Sequence, residues 1–124
     1  MNAPYEIKQA TQIKHSKDST NEFEPFPLDD VVEGDPQGKV HWLRTEGSTD
    51  AALMSGIFTG QPSRFNYVFE TDETFHVIEG RVTITLDSGE AVTLAAGDIV
   101  SFPRGARAVW DIQEPLRKFF VLSG

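Results

Sequence analysis

The sequence predicts an all-β protein built as a sandwich or barrel, and three observations carry that expectation. From residue 40 onward, short runs rich in β-branched and aromatic residues recur at regular spacing, separated by turn-forming clusters. Within several runs apolar and polar residues alternate with the period of two that strands require. No segment after residue 40 sustains a helical period over ten residues.

Residues 1–39 are polar and irregular. The stretch HSKDSTNEFEPFPLDD (15–30) is rich in charges and turn formers, and Pro25 and Pro27 break any helix there. Ile7 and Ile13 are placed to anchor a short strand or arm. GDPQGK (34–39) resembles a phosphate loop only superficially. Val40 follows Lys39 where such a loop needs serine or threonine, so an exposed turn is expected.

The strand runs follow in order: VHWLRTE, LMSGIFT, RFNYVFE, ETFHVIE, RVTITL, AVTL, IVSF, RAVWDIQ and RKFFVL. Between them lie EGSTD, GQPS, TD, EG, DSGE, AAGD, PRGA and QEP as turn signals. Alternation places Val82, Ile84 and Leu86 on one face of RVTITL. It likewise groups Phe65, Tyr67 and Phe69, and separately Ala108, Trp110 and Ile112. Gly80, Gly89, Gly97 and Gly105 sit in or beside turns where positive φ is expected. The expected organisation is an N-terminal arm or strand over 1–39, packing on the barrel or on a partner, and a barrel over 40–124.

Composition narrows the function classes. One domain is expected from 124 residues, and a formal net charge of −8 argues against nucleic acid or an anionic membrane as main partner. The chain has no cysteine, which excludes disulfides, thiolate catalysis and thiolate metal sites. The N-terminus lacks the apolar run of a signal peptide, and no stretch approaches the roughly 20 apolar residues of a membrane span. A cytoplasmic protein is the resulting expectation.

The run GDIVSFPRGARAVW resembles the second motif of the cupin superfamily, with Gly97, Pro103 and Gly105 at its fixed positions. Glu73 and Gly80 resemble the end of the first motif, and DSGE lies between the two as the intermotif hairpin should. The pattern from Glu73 to Leu122, with Trp110 after the second motif and Arg117-Lys118 in the last strand, is similar to the cupin domain of (S)-ureidoglycine aminohydrolase. The resemblance covers about residues 50–122 and implies an antiparallel jelly-roll barrel.

The same resemblance implies where a metal would be held. A metal-binding cupin supplies two histidines and a glutamate from its first motif and a histidine from its second. The glutamate falls on Glu73. The first-motif histidine positions fall on Tyr67 and Phe69, or on Asn66 and Val68 in the other register, and the second-motif position falls on Ala108. No metal and no cofactor are therefore expected. Of the three histidines, His76 is three residues from Glu73 and is expected to point outward with Thr74 and Ile78. His41 has no facing assigned, and His15 lies in the polar arm. Asp98 reads as a turn residue and Arg107 as outward-facing.

Glu73 is expected to face inward with Phe75 and Val77. An unpaired buried carboxylate costs several kcal/mol, so it must be paired or functional. Pairing with Lys118, Arg81 or the Tyr67 hydroxyl is one reading. The other is a small pocket in which Glu73 is the polar anchor and Tyr67, Phe69, Phe75 and Trp110 are the walls. Three functions follow: a metal-free cupin that binds a small metabolite, a metal-dependent aminohydrolase acting on a ureido compound, or a non-enzymatic scaffold or regulatory barrel. A homodimer is expected, because Tyr5, Ile7, Ile13, Phe23, Phe26 and Leu28 require burial that a polar arm does not provide.

Overall fold

The computed structural model describes residues 13–17 and 23–124. Tyr5 and Ile7, both expected to require burial, lie outside the described residues. Among the described residues the regular structure is entirely β. The strands are β1 (Glu24–Pro25), β2 (Val31–Gly34), β3 (Lys39–Arg44), β4 (Leu53–Gly60), β5 (Ser63–Val68), β6 (Asp72–Leu86), β7 (Ala91–Ala95), β8 (Ile99–Phe102) and β9 (Arg107–Ser123). Every pairing is antiparallel, and the sheet curls into a single-domain jelly roll.

Strand β9 organises the barrel. Its first half pairs with β5, its second half with β4, and β6 runs along nearly its whole length. The sequence suggested turns at EG (79–80) and QEP (113–115). Instead β6 and β9 each continue through those positions as one long strand. The register between them shifts repeatedly from Val77 to Val82. Gly80 sits at the bend with φ of 95°, and a side chain there would collide with the Pro115 carbonyl oxygen. The turn signals therefore mark a shared corner where two strands bend together, because a bulge consumes a glycine as readily as a reversal does.

Alternation along these strands builds the core. On β6, Phe75, Val77, Val82 and Ile84 are buried, while Thr74, His76 and Ile78 face out. Trp110, Ile112, Leu116 and Phe120 do the same on β9. Each such large apolar side chain contributes about 1.5–3 kcal/mol on burial. Phe69, Phe102 and Phe75 form a stacked column, with Phe69 and Phe102 centroids 4.6 Å apart.

Residues 23–34 pack on this same barrel. The backbone N–H of Phe26 donates to the Gly38 carbonyl, and Asn66 binds Asp30 through both its backbone and its side-chain amide. The segment from Phe26 to Asp30 thus bridges from the β3 side to the β5 side of the barrel mouth. Phe26 packs edge-on against Trp42 and Phe58. Ile13, by contrast, is almost fully exposed.

Candidate functional site

Lys118 is on β9, in the same alternation class as Leu116 and Phe120, so its side chain enters the barrel. Across the sheet it stands opposite Phe58 on β4 and Val77 on β6. Glu73 enters from β6. The two meet inside: Lys118 Nζ donates to Glu73 Oε2 at 2.6 Å, with both side chains buried. Of the three partners the sequence left open for Glu73, Lys118 is the one observed. Arg81 is instead at the surface, 3.8 Å from Glu114.

The pair is surrounded by aromatic rings. Lys118 Nζ lies 4.2 Å from the Phe75 ring centroid and 4.5 Å from that of Trp110, with Phe58 and Phe120 slightly farther. Ring faces are negative and attract the ammonium. Burial nevertheless pushes the Lys118 pKa down from its ordinary value, opposed in part by the Glu73 charge and hydrogen bond. The Tyr67 phenol moves the other way. Burial raises its pKa first, and the nearby Glu73 and Glu70 charges add to the rise.

Above the pair is a cavity of about 40 Å³ whose walls include Phe26, Leu28, Trp42, Tyr67, Trp110 and Leu122. It is almost wholly apolar except for Glu73 and Lys118. One feature of its wall is unbalanced: the indole N–H of Trp110 is buried and has no hydrogen-bond partner. An orphaned buried donor costs roughly 1–3 kcal/mol. Outside lies a larger vestibule of about 550 Å³ that shares Phe26, Leu28 and Tyr67 with the inner cavity. Its polar rim is Asp29, Asp30, Glu70, Asp87 and Arg107.

The residues that sequence grouped as a site are thus divided. Glu73, Tyr67 and Trp110 line the inner cavity. Phe69 and Phe75 are almost fully buried behind it, in the column with Phe102. Ala108, at the second-motif histidine position, is buried opposite Tyr67 and borders the vestibule. Missing from the sequence grouping are Lys118 and the lid residues Phe26 and Leu28. Lys118 carried a signal, an ionisable residue at a position of inward parity. Phe26 and Leu28 carried only their need for burial, which the structure meets on this same barrel; their place at the mouth comes from the chain path across it.

A divalent metal does not fit these residues. The positions that the resemblance assigns to the cupin histidines hold Tyr67 and Phe69, or Asn66 and Val68, together with Ala108, and the carboxylate that remains is already met by an ammonium. His76 is exposed on the outer face opposite Ile99. His41 faces away from the cavity, into an outer groove with His15, Ile57 and Phe119. Among the described residues, no three of His, Cys, Asp and Glu converge where they could hold an ion. Asp98 is a turn residue, its carboxylate accepting from the Ala95 N–H. In the 34–39 turn, Asp35 accepts from the Gln37 N–H. Among the described residues no helix is long and apolar enough to cross a membrane.

Comparison with known proteins places these features in a family context. A family model described as the EutQ-like cupin domain matches residues 47–120, a span containing Glu73, Trp110 and Lys118. A DUF861 family protein from Thermotoga maritima is 36% identical with a TM-score of 0.52, over 53% of this chain and 75% of that one. The EutQ protein of Clostridium difficile is similar in fold, at 22% identity and a TM-score of 0.61 over 69% of this chain and 67% of that one. An RmlC-like cupin from Shewanella frigidimarina aligns over 94% of both chains, with 17% identity and a TM-score of 0.65. No curated protein matches the chain.

Proposed function

The chain belongs to the EutQ-like cupin family, and from that premise we propose that it is a metal-free binder of a short, uncharged, carbonyl-headed molecule. The observation that carries this is the buried Lys118–Glu73 pair at the floor of an otherwise apolar cavity. Lys118 lines that cavity and is a donor for a ligand oxygen. Glu73 accepts a hydrogen from a neighbouring N–H where the ligand has one, as in a carboxamide or ureido group. Phe58, Tyr67 and Trp110 supply ring surface for the remainder.

Size and charge restrict the ligand further. A cavity of about 40 Å³ accepts only a head group of a few atoms, since a single water needs roughly 10–15 Å³. The vestibule receives the rest, and its four carboxylates against one arginine oppose an anion. The aminohydrolase reading of the resemblance to ureidoglycine aminohydrolase has no donor set for a divalent ion among the described residues. It contributes only the suggestion of a ureido head group.

Both tryptophans of the chain, Trp42 and Trp110, line the cavity, so intrinsic fluorescence reports its occupancy directly. Titration with acetamide, propionamide and urea is expected to give a saturable change and a raised melting temperature. Acetate and propionate are expected to give neither. Losing a hydrogen bond to a charged group costs about 1.5–3 kcal/mol, so Lys118→Met is expected to weaken binding by roughly one to two orders of magnitude. Anions binding as well as amides, or no saturable response to any probe, would refute the reading and leave the scaffold role.

A further inference from the structure

Lys118 is unlike the other lysines among the described residues. Lys14, Lys17 and Lys39 are exposed, whereas Lys118 Nζ sits among four rings with one carboxylate oxygen at 2.6 Å. An amine held in an apolar pocket beside a proton acceptor is the arrangement that makes lysine a nucleophile toward carbonyl carbon. Lys118 lines the inner cavity, which shares Phe26, Leu28 and Tyr67 with the vestibule.

We propose that Lys118 forms an imine with a short, uncharged aldehyde, with Glu73 moving the proton. This rests on the carbonyl-binding reading above and extends it from holding a ligand to reacting with one. The step balances within the pair. The Lys118 ammonium gives a proton to Glu73 Oε2, and the freed amine attacks the aldehyde carbon. A carbon–nitrogen bond forms as the carbonyl π bond opens. The oxygen takes a proton from the attacking nitrogen, giving a neutral carbinolamine. Glu73 then returns its proton to the carbinolamine hydroxyl, which departs as water as the C=N bond forms.

The product is a protonated imine, so the cavity holds one positive charge beside Glu73 before and after reaction. No step requires separating the buried pair into solvent. The burial that lowers the Lys118 pKa also raises the fraction of free amine over that of an exposed lysine. Selectivity follows from the rim: Asp29, Asp30, Glu70 and Asp87 disfavour anionic 2-oxo acids against neutral aldehydes.

The test is reductive trapping of the wild-type protein with acetaldehyde and cyanoborohydride at neutral pH, followed by peptide mapping. The expected first product carries the mass of one ethyl group on Lys118. Its rate should exceed that of each of the other four lysines, since Lys118 is held in an apolar cavity beside a proton acceptor. Glyoxylate, an anionic aldehyde, should show no such preference for Lys118 over the surface lysines, and Lys118→Arg, which keeps the cation, should lose the fast phase. Labelling of Lys118 by acetaldehyde no faster than the surface lysines overturns the proposal, and an equal preference with glyoxylate overturns its selectivity. Acetamide quenching of tryptophan fluorescence without fast trapping would leave the binding reading standing and remove this one.

Discussion

Replacing Lys118 with methionine tests whether the buried pair is held as a unit. The substitution keeps an unbranched stem of similar length against Phe58, Phe75 and Trp110 but removes the ammonium that meets Glu73. Glu73 then stays buried with its main partner gone. Breaking a buried pair from one side costs about 3–5 kcal/mol, mostly because the remaining charge is uncompensated. For 124 residues the unfolding entropy is about 0.26 kcal/mol/K, so that loss lowers the melting temperature by roughly 12–19 °C. The double variant Glu73→Leu/Lys118→Met should return to within about 1 kcal/mol of wild type or exceed it, because it also removes the cost of burying two charges. Calorimetric or circular-dichroism melts of the two singles and the double complete the cycle. A single Lys118→Met loss below about 1 kcal/mol, or a double as unstable as the single, would refute the premise that the charges are desolvated and coupled.

Other outcomes follow from the same structure. Lys118 has its pKa lowered in the folded state, so the unfolded chain binds more protons on the approach to its ordinary value of 10.5 and stability rises with pH there. Tyr67, with its pKa raised above 10.0, reverses the trend at higher pH, because the unfolded chain sheds the phenol proton first. Melts from neutrality upward should show the rise in wild type but not in Lys118→Met, and identical slopes would contradict the sign. Gly80→Ala combines an unfavourable φ with a collision against the Pro115 carbonyl, and at least about 3 kcal/mol of destabilisation is expected; a soluble variant melting like wild type would refute the corner. Metal analysis of untreated protein should find no stoichiometric transition metal, and one ion per chain lost on Glu73→Gln would overturn that. Light scattering is expected to give twice the 13.8 kDa chain mass, and a monomer at micromolar concentration would contradict the dimer.

The fold was legible because strands announce themselves locally. Alternation in RVTITL and ETFHVIE needs only the period of two, and it placed Val82, Ile84, Phe75 and Glu73 on the buried face. The inward course of Glu73 and the outward course of His76 followed from the same rule. Depth did not follow. Phe69 and Phe75 share inward parity with Tyr67 and Glu73, yet the three-dimensional stacking with Phe102 sets them behind the cavity wall. Nor did the partner of Glu73: choosing Lys118 over Arg81 depends on β6 and β9 running side by side through the Gly80 corner, with shifted register. That shift is a property of the pair of strands and is absent from either one alone. The lid was invisible for the same reason, since Phe26 and Leu28 meet the cavity through the hydrogen bonds of Phe26 to Gly38 and of Asn66 to Asp30.

The placement of β9 also fixes an order of events during folding. That strand supplies pairing to β4, β5 and β6 at once, so the barrel cannot close before it arrives. Strand β6 can pair with β7 and β8 before β9 is in place. Glu73 therefore lacks its lysine partner until β9 docks. Closing such distant pairings is slow, on the scale of milliseconds to seconds for β-rich topologies.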